Sequence, residues 1–447
     1  MTDLAKLTDA LLSAAQKAGA DSADALATSG TSVTINVLNG TLEQAERAEG
    51  TDIGLRVLVG QRQACVSASD TSPDTITTMA ERAVAMARLA PEDPYIGLAD
   101  PDQIARDWNV ASLDLAEDAP EPSAEHFKDA ALEAEAAALS HKGITQADSV
   151  TAGYGRSAMH LAATNGFSGG YARTSHGLSC VTITGTGTDM ERDYYGDSRS
   201  HAADMMSPTE IGNIAAERTL ERAGAVKPPT GTFPVLYDER ISSGLIGHLL
   251  QAANGASIAR GGSWLRDRLG EQVLPKGITL TEDPHRPRIR GSKPFDAEGL
   301  ATYSRNIVED GVLMGWTLDL ANARKLGMES TASAARGTGS PPNPTVGNVS
   351  MTQGDKSRDE LLRDMGTGLL VTGLIGSTIN PTTGDYSRGA SGFWIENGQI
   401  SYPVTECTIA SNLHDMLATL IAANDARAHL SRVVPSILVE SMTIAGA

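Results

Sequence analysis

Few residues in this chain have the types and spacing that chemistry needs. The helix-forming segment ISSGLIGHLLQAANG, from Ile241 to Gly255, carries a single histidine, His248. A zinc hydrolase helix needs two imidazoles aimed at one ion and a carboxylate beside the bound water. His248 has no second histidine four or five residues away and is followed by Leu249, so it reads as a helix histidine with one hydrogen bond. His414 and His429 are too far apart for one helix to clasp an ion, and Asp415 reads as helix-cap chemistry after Ser411-Asn412. Gly166-Phe167-Ser168-Gly169-Gly170 has the spacing of a nucleophile elbow. An elbow joins a strand to a helix, however, and here the turn Asn165-Gly166 leads into more strand residues. Gly366-Thr367-Gly368 begins like a phosphate loop, but the helical SRDELLRDM precedes it and no Lys-Ser/Thr follows. Arg388, beside the turn at Gly384, is left: it could hold a peptide carboxylate or serve in an ion pair. No catalytic residue and no metal ligand emerges, and Arg388 is the candidate substrate-binding residue.

At 447 residues the chain is too long for one ordinary core, so two or three domains are expected. The 45 glycines point to turn-rich β structure. With 36 basic against 55 acidic residues the net charge is −19, which argues against a partner whose phosphates must be neutralised. Aromatics, at 4%, offer no stacking platform for single strands. Cys65, Cys180 and Cys407 form neither a disulfide framework nor a CxxC clip, which suits a reducing cytosol. MTDLAKLTDALLSAA is amphipathic with a polar start, not a charged stretch followed by an apolar one, and no apolar run approaches a membrane span. A cytoplasmic chain without nucleic-acid or membrane partners is expected.

Leu4, Leu7, Leu11, Leu12 and Ala15 recur at helical spacing, predicting a helix over 3–18. Val33, Ile35 and Val37 alternate into the turn Asn39-Gly40, and Ile53 to Val59 alternate into Gly60-Gln61. Ser72-Pro73 starts a second helix. Residues 1–90 thus form an α+β unit, and the prolines of 91–122 form an acidic extended connector. Ser123 caps another helix, strands are predicted over 148–155 and 157–164, Asn165-Gly166 turns into a further strand pair through His176–Thr186, and Ser207-Pro208-Thr209-Glu210 is a capping box. Residues 123–226 read as the same meander with flanking helices, a weak repeat. Pro228-Pro229 marks the boundary to a β-rich, barrel-like domain over 232–447. Within it, 329–348 is Ser/Thr/Gly/Pro-rich and reads as mobile coil, and Phe393–Ile395, Asn397-Gly398 and Ile400–Val404 form a hairpin. The fold class is α+β.

The run NPTTGDYSRGASGFWIENGQISYPVTECTIASNL from Asn380 resembles the C-terminal signature of the TldD/PmbA family, in its PmbA (TldE) branch. PVLYDER at Pro234, SWLRDRLGE at Ser263, PFDAEGLAT at Pro294 and PSILVESMTIAG at Pro435 resemble the same family in the same order. The resemblance implies a two-chain zinc metalloprotease that degrades unstructured peptides and trims leader segments. Its TldD branch carries His-Glu-x-x-x-His and a later Cys, taken to hold zinc. With Gly255 as the shared glycine, Ile246 and Gln251 stand at the two histidines, Gly247 at the glutamate, and Arg388–Ala390 at the cysteine. The implied role is a subunit without its own metal or other cofactor. It would complete the chamber, help bind an extended peptide, and pair with a TldD-like subunit that holds the zinc. A self-sufficient peptidase with an unrecognised site and a non-proteolytic, homodimeric regulatory protein are the alternatives.

Overall fold

The computed structural model describes residues 3–446. Asp3 caps helix α1 (Leu4–Ala18) by accepting the Lys6 N–H, and Gly19, at φ 93°, closes it in the left-handed region. Strands β1 (Ser22–Leu38), β2 (Thr41–Val59) and β3 (Arg62–Ala68) form a meander, and helix α2 (Pro73–Leu89) follows with Ser72 as its cap. Helix α3 (Ala124–Leu139), strands β4 (Ile144–Ala163), β5 (Ser168–Thr184) and β6 (Glu191–Arg199), and helix α4 (Pro208–Glu221) repeat that plan. The two meanders make one antiparallel sheet in the order β3-β2-β1-β4-β5-β6. The join is β1 against β4, from Asp24 opposite Ala163 to Val37 opposite Val150. One face of the sheet is buried under helices. Leu11, Ala15, Ala80 and Ala83 cover Ala25, Leu55 and Val57, and Ala131, Ala134, Ile211 and Ala215 cover Val33, Ile35, Val150 and Ala152. Alanines dominate these contacts, so helices and sheet approach closely.

Two local expectations need correction. The strands expected at 148–155 and 157–164 are one continuous strand, β4. Gly153 and Gly155 are not turn residues: a Cβ at Gly153 would lie 2.7 Å from the Val33 carbonyl, so glycine permits close approach inside the sheet. The segment 329–348 is not loose coil, because Ala334–Ala335 pairs with Asn343–Pro344 and the Arg336 side chain is buried.

Beyond Val226, which bridges to Val404, the chain enters the barrel. Strand β7 (Gly231–Tyr237) pairs in parallel with Gly368–Ile379, which pairs with Asp385–Glu396, and that with Gln399–Asn412. The last strand, Ile437–Ala445, pairs with β7 on one side and with Thr408–Ala410 on the other, closing the barrel. Helix α5 (Glu239–Ala252) contributes Leu245, Ile246 and Leu249 to the core shared with the barrel. A smaller sheet built from Leu280–Glu282, Arg305–Glu309, Val312–Leu313, Val349–Met351 and Arg432–Val433 flanks it. No helix of the described residues is long and apolar enough to cross a membrane.

Charge ties the sheet to the barrel domain. Asp24 lies between Arg56, whose Nε donates to Oδ2 at 2.7 Å, and Arg336, which donates to Oδ1. All three side chains are buried. Burial favours the neutral Asp24 carboxyl, but Arg336 and Arg56 outweigh it and hold its pKa below the usual carboxylate range. At the outer edge, β3 covers β2 only from Ile53 to Val59, and Thr41–Gly50 is exposed along its whole length. Asp24→Asn would leave two guanidinium groups buried without a counter-charge. A loss of about 3–5 kcal/mol is expected in chemical denaturation at neutral pH. Because the folded-state pKa is depressed, Asp24's contribution is present above about pH 4 and is lost as pH falls through the lower, folded value, so the wild-type–variant gap should narrow only in acid.

Candidate functional site

On the barrel strand Asp385–Glu396, Tyr386, Arg388 and Ala390 share one face by the two-residue period, and Tyr386 and Ala390 belong to the barrel core. Tyr237, at the end of β7, shares a hydrogen bond with Tyr386 and donates to Met442 Sδ at 3.5 Å. Burial drives the Tyr237 phenol well above its ordinary range, so it stays protonated. Asp238 then caps α5 by accepting the Arg240 N–H at 3.2 Å. Nearly three turns further along, the His248 ring stands edge-on to Tyr386 with centroids 5.8 Å apart. Burial, and after it the positive charge of Arg388, hold His248 below the usual histidine value. Arg388 has no carboxylate within ion-pair distance among the described residues, and its buried Nε has no hydrogen-bond partner. The ion-pair alternative is thus not what the fold gives it. The site is a wall of two buried phenols and a partly buried imidazole around one guanidinium that no carboxylate pairs.

The metal positions can be tested on the residues themselves. Ile246 is fully buried in apolar core, Gly247 has open space where a side chain would begin, and Gln251 is exposed on another side of α5. Across from Ala390 in the barrel lies Cys407. Its thiol donates to the Ala390 carbonyl at 3.3 Å, and burial pushes its pKa up to about 11, so it is not the thiolate a metal would take. No group of three or more His, Cys, Asp or Glu side chains is gathered to hold a metal among the described residues. The residues present do not fit a zinc ion.

The other histidines are dispersed. His414 packs on Trp264 and meets Arg268 at 3.2 Å, and Asn412 caps its short helix. His429 lies 3.9 Å from Asp197. Ser168 does meet a histidine, His160, at 3.4 Å, and His160 meets Thr8 at 2.9 Å. Ser168 opens β5 after a hairpin, however, so the strand-to-helix geometry of an elbow is absent. Gly366 ends a helix (Arg358–Met365) that starts in a Ser357/Glu360 capping box.

A second feature was not singled out in the sequence. On the sheet face away from the helices lies a cavity of about 1080 Å³. It adjoins another of about 670 Å³ that shares Ser32, Gly155, Ser175, Ser198, His429 and Leu430 with it. The floor follows the strand register: Ser32 faces Gly155, Gly155 faces Ser175, and Gly153 faces Gly177. Residues 288–290 and 429–431 of the barrel domain form the opposite wall. The signal was the alternation of glycine and serine in TAGYGRS and SHGLS, which punctuation rules assign to turns.

Three family models match in order: PmbA/TldA metallopeptidase domain 1 over 23–87, the central domain over 117–223 and the C-terminal domain over 230–446. This chain belongs to the PmbA/TldD metallopeptidase family. It is 36% identical over 430 residues to Metalloprotease PmbA of Escherichia coli, covering 95% of this chain and 92% of that one. The Metalloprotease PmbA homolog of Haemophilus influenzae is 35% identical over 442 residues, 97% and 94% of the two chains. Among solved structures, a putative modulator of DNA gyrase from Bacteroides thetaiotaomicron aligns over 100% of both chains with a TM-score of 0.92 and 27% identity. TldE from Thermococcus kodakarensis shares the fold, with a TM-score of 0.84 at 20% identity over 98% of this chain and 100% of its own.

In this PmbA/TldD fold, His248 gives a pH test of the site. Its folded-state pKa lies below the unfolded value, so the unfolded chain takes up the proton first as pH falls. Stability should therefore decline as pH drops from about 6.5 towards the folded-state value. The decline should be shallower in His248→Gln, as measured by thermal unfolding across that window. In Arg388→Gln, the NMR titration midpoint of His248 should rise while staying below that of a free histidine.

Proposed function

We propose that this chain is a PmbA/TldE-type subunit of a cytoplasmic zinc metalloprotease, one that binds and aligns unfolded peptide while a TldD-like chain carries the metal. The observation that carries this reading is α5: Ile246 is committed to the core, Gly247 has no side chain and Gln251 sits at the surface. In the partner, zinc would supply the activated water. The work left to this chain is positioning. The unpaired Arg388 is available to a substrate carboxylate, and the neutral Tyr386 and His248 beside it add no competing charge. The groove between sheet and barrel domain has room for an extended chain. The open side of β2 over Thr41–Asp52 offers main-chain hydrogen bonds that ignore side-chain identity. Enclosing and aligning a flexible peptide lowers a barrier without any catalytic group of this chain's own.

Purified separately and then mixed, the two chains should cleave an unfolded peptide that neither cleaves efficiently alone, and this chain should carry no stoichiometric zinc by elemental analysis. Arg388→Ala should lower kcat/KM of the mixture by about tenfold while the chains still co-elute. Chelator-sensitive cleavage by this chain alone, or full activity of the zinc chain alone, would overturn the proposal.

A further inference from the structure

The chain is acidic, at −19 overall, yet the larger cavity is lined by Arg156, Arg173, Arg199, Arg288 and Arg290 against Glu49, Asp52 and Asp204. Partners divide these charges. Arg199 is paired with Asp197 at 2.9 Å, and Arg288 with Asp114 at 2.6 Å and Asp204 at 3.0 Å. Glu49 is taken by Arg47, and Asp52 accepts the Ser69 hydroxyl at 2.6 Å. Arg156, Arg173 and Arg290 are left without a carboxylate among the described residues. Arg173 is locked in place by donating to the Arg290 carbonyl at 2.7 Å and to that of Ser292. Arg156 reaches only the Glu117 carbonyl, at a long 3.4 Å. Arg290 is exposed at the rim.

Resting on the reading that this chain binds extended peptide, we infer that the groove selects peptide segments bearing carboxylates, with Arg156 and Arg290 as their anchors. Three features converge. Guanidinium groups without counter-ions line a concave wall and offer planar forks that match a carboxylate. The floor is Gly30, Ser32, Gly155 and Ser175, so a peptide can lie flat against it without meeting bulky side chains. These floor strands are interior and already paired on both sides, so strand addition is not available there and charge must supply the preference. The larger cavity, where Arg156 and Arg290 stand, has no Phe, Tyr or Trp in its lining for a base to stack on; the tyrosines of the groove, Tyr154, Tyr194 and Tyr195, line the smaller cavity. The carboxylates can be Asp or Glu side chains or the peptide's free C-terminus, since both present the same planar oxyanion.

The test is fluorescence anisotropy of the full chain with labelled, unstructured peptides of about twelve residues built on Gly, Ser and Ala. One carries glutamates and an amidated C-terminus, one carries glutamines and a free C-terminus, one is a glutamine amide and one a lysine amide. At low salt the glutamate peptide, the free-carboxylate peptide or both should bind about tenfold more tightly than the glutamine amide, and which of them gains identifies the carboxylate source. The Arg156→Gln/Arg290→Gln double variant should abolish that advantage, with the affinity for the glutamine amide and the melting temperature unchanged. Equal affinity for all four peptides would overturn the inference while leaving peptide binding intact. An advantage that survives in the double variant, or tighter binding of a single-stranded oligonucleotide than of any acidic peptide, would also overturn it. Absence of binding to every peptide would overturn both this inference and the reading beneath it.

Discussion

The pairing of β1 with β4 is the constraint from which the rest of the molecule follows. Each meander alone would leave a flank of β1 or β4 unpaired and a helix pair over only half a sheet. Joined from Asp24/Ala163 to Val37/Val150, they make one surface whose helical face is filled. Its other face is then left to meet the barrel domain. Close approach across this join fixes what the free face can carry: Gly153 is hemmed in by the Val33 carbonyl, and glycine and serine occupy the neighbouring positions. A groove with a flat floor is the geometric result.

Charge sets how the barrel domain sits against that sheet. Asp238 caps α5, pairs with Arg240 at 3.0 Å and Arg358 at 3.1 Å, and Arg240 continues to Asp193 on β6 at 3.4 Å. Burial would raise the Asp238 carboxyl, but Arg240 and Arg358 overcome it and keep the group ionised. At the other end of the interface, Asp24 binds an arginine of its own sheet and one from the barrel domain. The Pro-rich connector adds an apolar tie, with Trp108 packed against Phe167 of the sheet domain and Phe295 of the barrel domain. Helix α5 and the groove wall are therefore held by contacts from both sides rather than by the linker near Pro228.

What was legible in the sequence was local. The caps at Ser72, Ser123 and Ser207, the turns at Asn39-Gly40 and Asn397-Gly398, and the repeated helix–meander–helix plan all rest on short-range dihedral and hydrogen-bond preferences. The barrel-like C-terminal domain was legible as a class, from its run of strands and turns. What was not legible depends on distant partners. The first half of β1 is Ala-, Ser- and Thr-rich and becomes strand because β2 and β4 flank it. Glycines inside β4 look like turns until the neighbouring carbonyl is known. Arg336 reads as loop until Asp24, more than three hundred residues away, is placed beside it. At the candidate site, Arg388 was singled out from its place beside the turn at Gly384, whereas the arginines of the groove come from segments whose meeting no spacing rule encodes.

The unpaired side of β2 has a consequence for how the molecule behaves in a crowded solution. The barrel closes on itself and so presents few open strand edges, which leaves Thr41–Asp52 as a long exposed template for unwanted sheet growth. Its side chains answer that hazard: Glu43, Glu46 and Glu49 are spaced every third residue, with Arg47 among them. Two copies meeting edge to edge would bring like charges together, whereas a neutral or basic strand would meet no such barrier. The acidity of this edge thus acts locally against its pairing with a second copy of itself.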